Sequence, residues 1–215
     1  MTFSANIAAN VSVYLTIVCI MPLNERLEKA FITFDAYNAN DLHTEEVNGQ
    51  SHPKELLYGQ RMTEWLNKFA PHAPEYMQLA ARCQHIGRWE IPRNSYPMDK
   101  KGYLQWRNAE KFHQAKIAEQ ILLSCRYDSE TIEKVKFLLL KKELQTHADT
   151  QLLEDVICLV FIQYYLDDFA AQHDDAKVVD ILKKTLKKMS ARAIGEAGKI
   201  PVSAKAGGLI AQAVQ

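Results

Sequence analysis

The stretch of this chain that is richest in chemically able side chains runs from Arg82 to Arg107. It reads RCQHIGRWEIPRNSYPMDKKGYLQWR and holds four arginines, two lysines, one histidine, two tryptophans and two tyrosines. Guanidinium and ammonium groups bind phosphates and carboxylates, and a histidine transfers protons near neutral pH. Because such side chains are costly to concentrate in a soluble helical protein, this segment predicts a functional site.

Helical spacing organises the first half of this segment. At about 100° per residue, Arg82, His85 and Trp89 fall on one stripe of a helix that opens at Pro74 and closes before Pro92. The loop that follows is expected to cover a polar pocket, and its cations suit a phosphate or a carboxylate better than a neutral ligand. The residues predicted to bind this anionic small molecule are Arg88, Arg93, Tyr96, Lys100 and Arg107.

Glu90 is the one carboxylate of this segment that is predicted to need a cationic partner. The same spacing projects Glu90 onto the apolar side of the helix, where a carboxylate is costly unless a cation meets it. Arg88 or Arg93 is the expected partner. One interpretation is a buried ion pair that holds the turn, and the other is a catalytic role, with Glu90 accepting a proton and His85 beside it.

A divalent metal ion is a second chemical possibility. His85, His113, Glu143 and Asp155 lie on four different predicted helices, and helical bundles build metal sites with ligands from several helices. One such ion would lower the pKa of a bound water and polarise a scissile bond. Each residue also has a structural interpretation: a hydrogen-bonded core histidine, a glutamate paired with a neighbouring lysine, or an aspartate favoured at a helix start.

Seven helices are predicted to position these residues. Apolar side chains recur at helical spacing from Leu23 to Met189, and Pro53, Pro74 and Ser129 mark helix starts. The sixth helix, near Leu152–Ala171, is apolar almost all round and is expected at the centre. No alternating strand pattern follows the first 20 residues, and no repeat or linker interrupts the chain. The fold class predicted is therefore all-α, a single compact bundle of about seven helices.

The two ends of the chain are expected to lie outside this bundle. Residues 1–20 are weakly apolar and carry no preceding lysine or arginine, so they match neither a signal peptide nor a transmembrane helix. Met21 and Pro22 begin the first amphipathic helix, and residues 1–20 are interpreted as an N-terminal extension. The helical domain spans residues 21–192, and the Ala/Gly/Lys-rich residues 193–215 are predicted to form a flexible tail.

Composition narrows the class of function. Hydrophobic residues make up 47% and charged residues 24%, as in a globular protein. Lys+Arg and Asp+Glu both number 26, so overall charge favours neither nucleic acid nor a membrane as partner. The cysteines form no CxxC pair, and three of them sit among apolar helical residues, which is typical of free thiols in a reducing compartment. A cytoplasmic location is predicted.

The segments of the chain resemble the uncharacterised domain-of-unknown-function family 4202 from about Leu23 to Ser190. Members of that family are distantly similar to the HD superfamily of metal-dependent phosphohydrolases, so the resemblance implies an HD-like helical bundle. Tyr58 and Arg61 lie in one of its specific segments and are therefore expected to bind the ligand. The segments that carry the resemblance are PKELLYGQRMTEWL, QHIGRWEIPRNSYPM, GYLQWR, FHQAKIAEQIL, LEDVICLVF and KKTLKKMS.

The HD similarity also implies a set of metal ligands. QHIGRW stands where those enzymes carry an adjacent His-Asp pair, and FHQAKIAEQIL and LEDVICLVF match the helices that carry the later ligands. Ile86 occupies the place of the aspartate, so the sequence departs from the pattern at its centre. The metal ligands that the resemblance implies are His52, His85, His113 and Asp155, with Glu143 as a substitute.

A second resemblance points to aminoacyl-tRNA synthetases. QHIGRWE and KKMSAR are similar to the HIGH and KMSKS segments of the class I enzymes, and some similar proteins carry a glutamyl-tRNA synthetase name. The HIGH segment must follow a strand and open a helix in an α/β domain, whereas here it falls inside a predicted helix, so the match is interpreted as coincidental. Three hypotheses remain: a hydrolase-type enzyme acting on an anionic small molecule, a metal-free metabolite-binding protein on a degenerate HD-like fold, and a glutamyl-tRNA synthetase-like protein.

Overall fold

A computed structural model describes residues 23–215, and the N-terminal extension predicted for residues 1–20 lies outside them. The described residues form a mainly helical fold, as predicted, with one small hairpin. Its elements are α1 (Leu23–Asn38), β1 (Thr44–Val47), β2 (Gln50–Pro53), α2 (Lys54–Phe69), α3 (Glu75–Arg82), α4 (Lys100–Ser124), α5 (Ser129–Leu139), α6 (Ala148–Tyr164), α7 (Leu166–Gln172), α8 (Asp175–Lys188), α9 (Ala191–Ala197) and α10 (Ala204–Ala213).

The α-helices number ten in this part of the chain, more than the seven helices predicted, and two 3-10 turns, Arg88–Glu90 and Arg93–Ser95, lie between α3 and α4. Helices α7, α9 and α10 account for the difference. The sixth predicted helix divides at Tyr165, where the backbone leaves helical geometry with φ −127° and ψ −17°. Within residues 23–215, no helix has the length and apolar character needed to cross a membrane.

The hairpin of β1 and β2 contradicts the expectation of a purely helical chain. The two strands pair antiparallel with Val47 opposite Gln50, so Asn48 and Gly49 form a two-residue turn. Both have positive φ values of 52° and 76°, as a type I′ hairpin turn requires. Neither strand alternates apolar and polar residues, so periodicity alone misses it. The Asn-Gly pair is the one sequence signal that predicts this hairpin.

Helix α6 lies at the centre of the fold, as its apolar sequence predicts. It packs against α2, α3, α5, α7, α8 and α9. Because α6 has neighbours on most sides, little of its surface meets solvent, which explains why its sequence is apolar almost all round. The three described cysteines are buried and unbridged, also as predicted.

The third helix ends earlier than predicted, and this change reshapes the site. Helix α3 stops at Arg82, and a tight turn follows in which His85 and Gly87 have positive φ values of 66° and 65°. A β-carbon at Gly87 would lie 2.5 Å from the Ile117 side chain, so glycine is needed for space as well as for backbone geometry. We call residues 83–87 the His85 turn.

A side chain from α1 holds this turn in place. The Oδ1 atom of Asn38 accepts a hydrogen bond from the Gly87 backbone N–H at 3.3 Å, and its Nδ2 atom donates to the Glu55 carbonyl at 3.2 Å. Asn38 is buried, so both bonds are shielded from water. The amide therefore ties the His85 turn to the start of α2.

The C-terminal residues form packed helices, which corrects the prediction of a flexible tail. Ala206, Leu209 and Ala213 are buried at a helical spacing, and α10 packs against α8. The Ser203 hydroxyl accepts a hydrogen bond from the Ala206 N–H and so caps the helix. The alanines and glycines of this segment favour a prediction of disorder, but their small side chains allow α10 to pack closely against α7 and α8.

Close packing of α2 on α3 generates a testable prediction. A β-carbon at Gly59 would lie 2.6 Å from the Arg82 carbonyl oxygen, whereas one at Gly195 would meet no atom within 4 Å. We expect Gly59→Ala to lower the free energy of unfolding by about 1–3 kcal/mol, because backbone atoms must move apart. Gly195→Ala, the matched control, should raise it slightly, by up to about 1 kcal/mol. Chemical denaturation measures the free energy of unfolding of both variants. Equal changes in the two would contradict the close contact between Gly59 and the Arg82 carbonyl oxygen.

Candidate functional site

A cavity of about 490 Å³ lies beside the His85 turn and is enclosed by residues of α2, α4, α6, α7 and α8. We call it the His85 cavity. Its lining combines five basic side chains with two carboxylates and a group of aromatic rings. The basic residues are Lys54, Arg88, Arg107, Lys141 and Lys188, the carboxylates are Glu55 and Glu154, and the rings are those of Tyr58, Tyr103, Phe161, Tyr165 and Phe169.

His85 lies in the wall of this cavity as a neutral imidazole. Its ring stacks on Tyr58, with centroids 4.2 Å apart and an interplanar angle of 16°. Burial lowers the pKa of His85 well below its usual value, and the charges of Arg88, Arg107 and Lys141 lower it further. The Nη1 atom of Arg88 lies 3.0 Å from the His85 Nδ1 atom, and because arginine can only donate, this nitrogen accepts.

Glu55 faces His85 from the first turn of α2. Its Oε2 atom lies 3.6 Å from the His85 Nδ1 atom. Burial raises the pKa of Glu55 to about 7, although the nearby charges of Arg88 and Lys54 oppose this and that of Asp41 adds to it. The cavity wall therefore holds a carboxyl group that changes its protonation near neutral pH. A glutamate in a first helical turn usually reflects the helix dipole, which is why sequence reasoning missed it.

A second buried carboxyl group lies next to Arg88. The Arg88 Nε atom is 3.6 Å from the Glu110 Oε2 atom, and burial raises the pKa of Glu110 to about 7 against the charges of Arg88 and Arg107. The other carboxyl oxygen of Glu110 is buried without a hydrogen-bond partner among the described residues. Both acids near Arg88 are therefore partly protonated at pH 7, so its positive charge is incompletely neutralised.

The opposite side of the cavity holds two lysines around one carboxylate. The Lys141 Nζ atom lies 2.5 Å from the Glu154 Oε2 atom, and the Lys188 Nζ atom lies 3.5 Å from its Oε1 atom. Burial raises the pKa of Glu154, but the lysine charges outweigh burial and leave it below its usual value. Burial lowers the pKa of Lys141. One carboxylate thus serves two ammonium groups.

Arg107 lies between these two groups of charges. Its charge lowers the pKa values of His85, Glu110 and Lys141, so it is close to both sides of the cavity. Within residues 23–215, no carboxylate forms an ion pair with Arg107. The cavity therefore carries more positive than negative charge.

One known protein family matches this chain. The family model described as Domain of unknown function (DUF4202) matches residues 28–210, which covers most of the chain. The chain belongs to the DUF4202 family. No curated protein and no solved structure matches the chain. The match includes every residue that lines the His85 cavity.

Four of the predicted ligand or catalytic residues line the cavity of this DUF4202 protein: Tyr58, His85, Arg88 and Arg107. The residues that sequence reasoning missed are Lys54, Glu55, Tyr103, Lys141, Glu154, Ile157, Cys158, Phe161, Tyr165, Phe169, Thr185 and Lys188. Most of these come from distant segments, and the apolar α6 sequence gives no sign that one of its faces borders a cavity. A carboxylate pair, Glu154 and Asp155, inside that apolar run was the available signal.

The structure turns two predicted arginines toward other partners. Arg93 donates to the backbone carbonyls of Tyr96, Pro97 and Asp99 at 2.8–3.3 Å, so it closes its own loop. It borders a smaller cavity of about 350 Å³ that adjoins the His85 cavity. Lys100 is exposed at the start of α4, and neither Lys100 nor Tyr96 lines the His85 cavity.

Arg61 also has a structural partner. Its Nη1 atom lies 2.6 Å from the Glu45 Oε1 atom of the hairpin and donates to the Tyr165 hydroxyl at 2.9 Å. Arg61 does not line the cavity, but it fixes the position of Tyr165, which does. This contact also explains the role of the hairpin, since β1 supplies the carboxylate that holds Arg61.

The structure places Glu90 outside the cavity, and the predicted partner was wrong. Glu90 is exposed and hydrogen-bonds the Tyr37 hydroxyl at 2.6 Å and the His113 Nε2 atom at 2.8 Å. The prediction continued the helix past Arg82 and so projected Glu90 onto an apolar face. Because the chain turns at His85 instead, the side chain points away from the core.

The predicted metal ligands do not come together. Among residues 23–215, no three His, Cys, Asp or Glu side chains are close enough to hold a metal ion. His113 contacts Glu90, His52 lies on β2 opposite Glu45, and Glu143 is exposed between α5 and α6. The residues present thus do not fit the metal that the HD resemblance implies.

Asp155, one of the predicted metal ligands, faces away from the His85 cavity that its neighbour Glu154 lines. It accepts hydrogen bonds from the Ser190 N–H at 2.8 Å, the Ser190 hydroxyl at 2.6 Å and the Gln151 side chain at 2.9 Å. Adjacent residues on a helix point about 100° apart, so Glu154 faces the cavity while Asp155 faces the start of α9.

The two synthetase-like segments have structural roles in this fold. The His-Ile-Gly sequence forms the His85 turn between helices rather than the start of a helix. The Lys-Met-Ser sequence ends α8, and the Ser190 hydroxyl caps α9 by accepting a hydrogen bond from the Ala193 N–H. The sheet of residues 23–215 is only a two-stranded hairpin, so the α/β context of the HIGH signature is missing there.

The raised pKa of Glu55 generates a prediction about stability. A carboxyl group whose pKa rises from 4.5 to about 7 on folding stabilises the protein fully below pH 4.5, and that contribution is lost as pH rises through 7. We expect Glu55→Gln to abolish up to ~3 kcal/mol of the stability loss between pH 5 and pH 8. Urea unfolding across this range measures it. Glu130→Gln, on the exposed side of α5, should keep the wild-type profile, and a Glu55→Gln profile parallel to wild type would contradict the assignment.

Proposed function

We propose that this protein binds an anionic small molecule, bearing a phosphate or a carboxylate, in the His85 cavity. The observation that carries this proposal is the convergence of five basic side chains against two lining carboxylates. In the described part of the chain, neither Lys54 nor Arg107 has an ion-pair partner. Cations collected in a recess without enough counter-charges favour an anion supplied from solution.

Proton equilibria strengthen the positive character of the cavity. Burial raises the pKa of Glu55 and Glu110, the carboxyl groups nearest Arg88, to about 7, so each carries less negative charge near neutral pH than an ordinary carboxylate. The whole chain has a net charge of zero, which means that this excess is local. A local excess of positive charge favours anions small enough to enter the recess over large polyanions that stay outside it.

The shape of the site favours a small molecule over nucleic acid. A volume of about 490 Å³ falls within the usual range for small-molecule sites. Key groups, including His85 and Glu154, are buried in the wall. A nucleic-acid backbone would need cations along an exposed surface, whereas these cations surround a recess.

The metal-free form of the proposal fits these residues best. Of the two carboxyl groups that line the cavity, Glu154 is engaged by Lys141 and Lys188, and burial raises the pKa of Glu55; the histidine there is stacked on Tyr58. Arginine and lysine hold an anion directly through charge-assisted hydrogen bonds, so binding needs no bridging ion. Anion binding is therefore expected to survive a chelator.

Titration calorimetry with inorganic phosphate, pyrophosphate and citrate tests the proposal. Arg107→Gln and Lys188→Gln should each weaken binding of the best of these anions by about tenfold or more, because each removes a charged hydrogen-bond donor. Lys187→Gln is the matched control, since Lys187 is exposed on the same turn of α8 but does not line the cavity. Absence of binding to the wild type, or equal losses for Lys187→Gln and Lys188→Gln, would overturn the proposal.

A hydrolase-type activity is the second candidate, and one observation favours it. Glu55, with a pKa of about 7, lies 3.6 Å from the neutral imidazole of His85 in a cationic cavity. Acid–base catalysts work best with a pKa near the operating pH, and strongly shifted groups in a cleft often serve that role. In this proposal Glu55 accepts a proton from a water molecule as the water oxygen attacks phosphorus. The ester P–O bond breaks, and the leaving alcohol takes up that proton, while His85 lies beside Glu55 and the cations hold the phosphoryl oxygens.

Release of phosphate from simple phosphate monoesters measures this activity. We expect Glu55→Gln to lower kcat by about 100-fold, which is typical for the loss of a general acid or base. Phosphate affinity should be retained or slightly raised in that variant, because glutamine keeps the shape of the side chain and removes its remaining negative charge. A Glu55→Gln protein with wild-type kcat would remove Glu55 from the chemistry, and loss of turnover on adding a chelator would contradict the metal-free form.

A further inference from the structure

We propose that the ligand of the His85 cavity is an anion joined to an aromatic ring by a spacer, with the ring bound at the far end of the cavity. This inference rests on the proposed anion binding and adds the class of molecule that carries the anion. The observation behind it is a change of polarity along helix α6.

One face of α6 and its continuation line the whole length of the cavity. Glu154, Ile157, Cys158, Phe161 and Tyr165 follow one another at helical spacing, so they share one face. Glu154 and Phe161 are seven steps apart, which corresponds to about 10 Å along the axis at a rise of about 1.5 Å per residue. The cavity is therefore bordered by this helix over at least about 10 Å of its length.

The two ends of this face have different chemistry. Glu154, at the first end, is paired with Lys141 and Lys188. Ile157 and Cys158 then give an apolar stretch, and Phe161 begins an aromatic region. An anion binds at the first end through charged hydrogen bonds, while the second end offers apolar contact.

The aromatic end is fixed by contacts both within the cavity wall and behind it. Phe169 stacks on His173 with centroids 4.2 Å apart, and its ring meets Phe161 edge to face at 5.9 Å. Tyr165 is held by the hydrogen bond from Arg61 and lies 6.0 Å from the Tyr58 ring. Since these rings are positioned before any ligand arrives, a ligand ring pays little to order them.

Ring contacts favour an aromatic group over an aliphatic chain. Edge-to-face and offset arrangements between rings are more favourable than contact area alone predicts. Phe161 and Phe169 are only half-buried and both line the cavity, so part of each ring faces the space available to a ligand. A small inorganic anion would leave this end of the cavity unfilled.

The length of the cavity sets the separation between the anion and the ring. The backbone levels of Glu154 and Phe161 lie about 10 Å apart along α6, so a ring bonded directly to a phosphate at the lysine pair contacts Phe161 less fully than a ring on a spacer. A ring separated from the phosphate by several bonds can reach Phe161. The inference therefore predicts that affinity depends on spacer length.

The experiment is calorimetry with a graded series of phosphate monoesters on the full chain. The probes are inorganic phosphate, phenyl phosphate, phenylalkyl phosphates with one to five methylenes, and n-alkyl phosphates of the same lengths. We expect affinity to rise by about tenfold or more once the spacer lets the ring reach Phe161, and to rise less for the alkyl partners. A phenylalkyl series that never exceeds its alkyl partners would overturn the inference.

A conservative pair of variants locates the ring. Phe169→Leu should remove the advantage of the aryl over the alkyl probes and leave inorganic phosphate affinity unchanged, because leucine keeps apolar volume without an aromatic face. Phe137→Leu is the matched control: Phe137 is also half-buried and packs on a histidine, His147, but lies outside the cavity. An aryl advantage that persists in Phe169→Leu would contradict this placement.

The outcomes separate this inference from the proposed function. If phosphate binds and Lys188→Gln weakens it, but spacer length and Phe169→Leu have no effect, anion binding stands and the aromatic assignment fails. If neither phosphate nor any ester binds, the proposed function fails and the inference fails with it.

Discussion

The site depends first on the buried amide of Asn38. It accepts from the Gly87 N–H and donates to the Glu55 carbonyl, so one side chain of α1 joins the His85 turn to the first turn of α2. His85 and Gly87 both hold left-handed backbone conformations, which are unfavourable unless tertiary contacts maintain them. These contacts bring Glu55, His85 and Arg88 to one wall, and the chemistry proposed for the cavity follows from that arrangement.

The electrostatics of the cavity follow from burial and not from overall composition. The chain as a whole is neutral, yet Arg88, Arg107, Lys141 and Lys188 approach the same recess from four segments. Burial raises the pKa of nearby glutamates, so the carboxyl groups that would balance these cations are partly neutral. A neutral protein can in this way present a strongly cationic recess.

Sequence reasoning located one wall of the cavity and missed the other. The Arg82–Arg107 segment supplies His85, Arg88 and Arg107, because unusual side chains concentrated there. It also suggested Arg93 and Glu90, which the turn at His85 directs elsewhere. The helical projection failed at the point where α3 ends, since a positive φ at a non-glycine residue such as His85 has no periodic signature.

The sequence by itself determined the helical class, the apolar central helix and the segment that carries the reactive side chains, because these depend on local spacing and composition. Which side chains contact one another across the fold follows from the packing of the helices and is not contained in local sequence patterns. Glu154 faces the cavity while its neighbour Asp155 accepts hydrogen bonds from Ser190 at the start of α9, a difference of one residue that helical periodicity cannot resolve without knowing where α8 and α9 lie. The pairing of Lys141 with Glu154, and the aromatic end formed by α6 and α7, likewise join residues whose proximity arises only from packing.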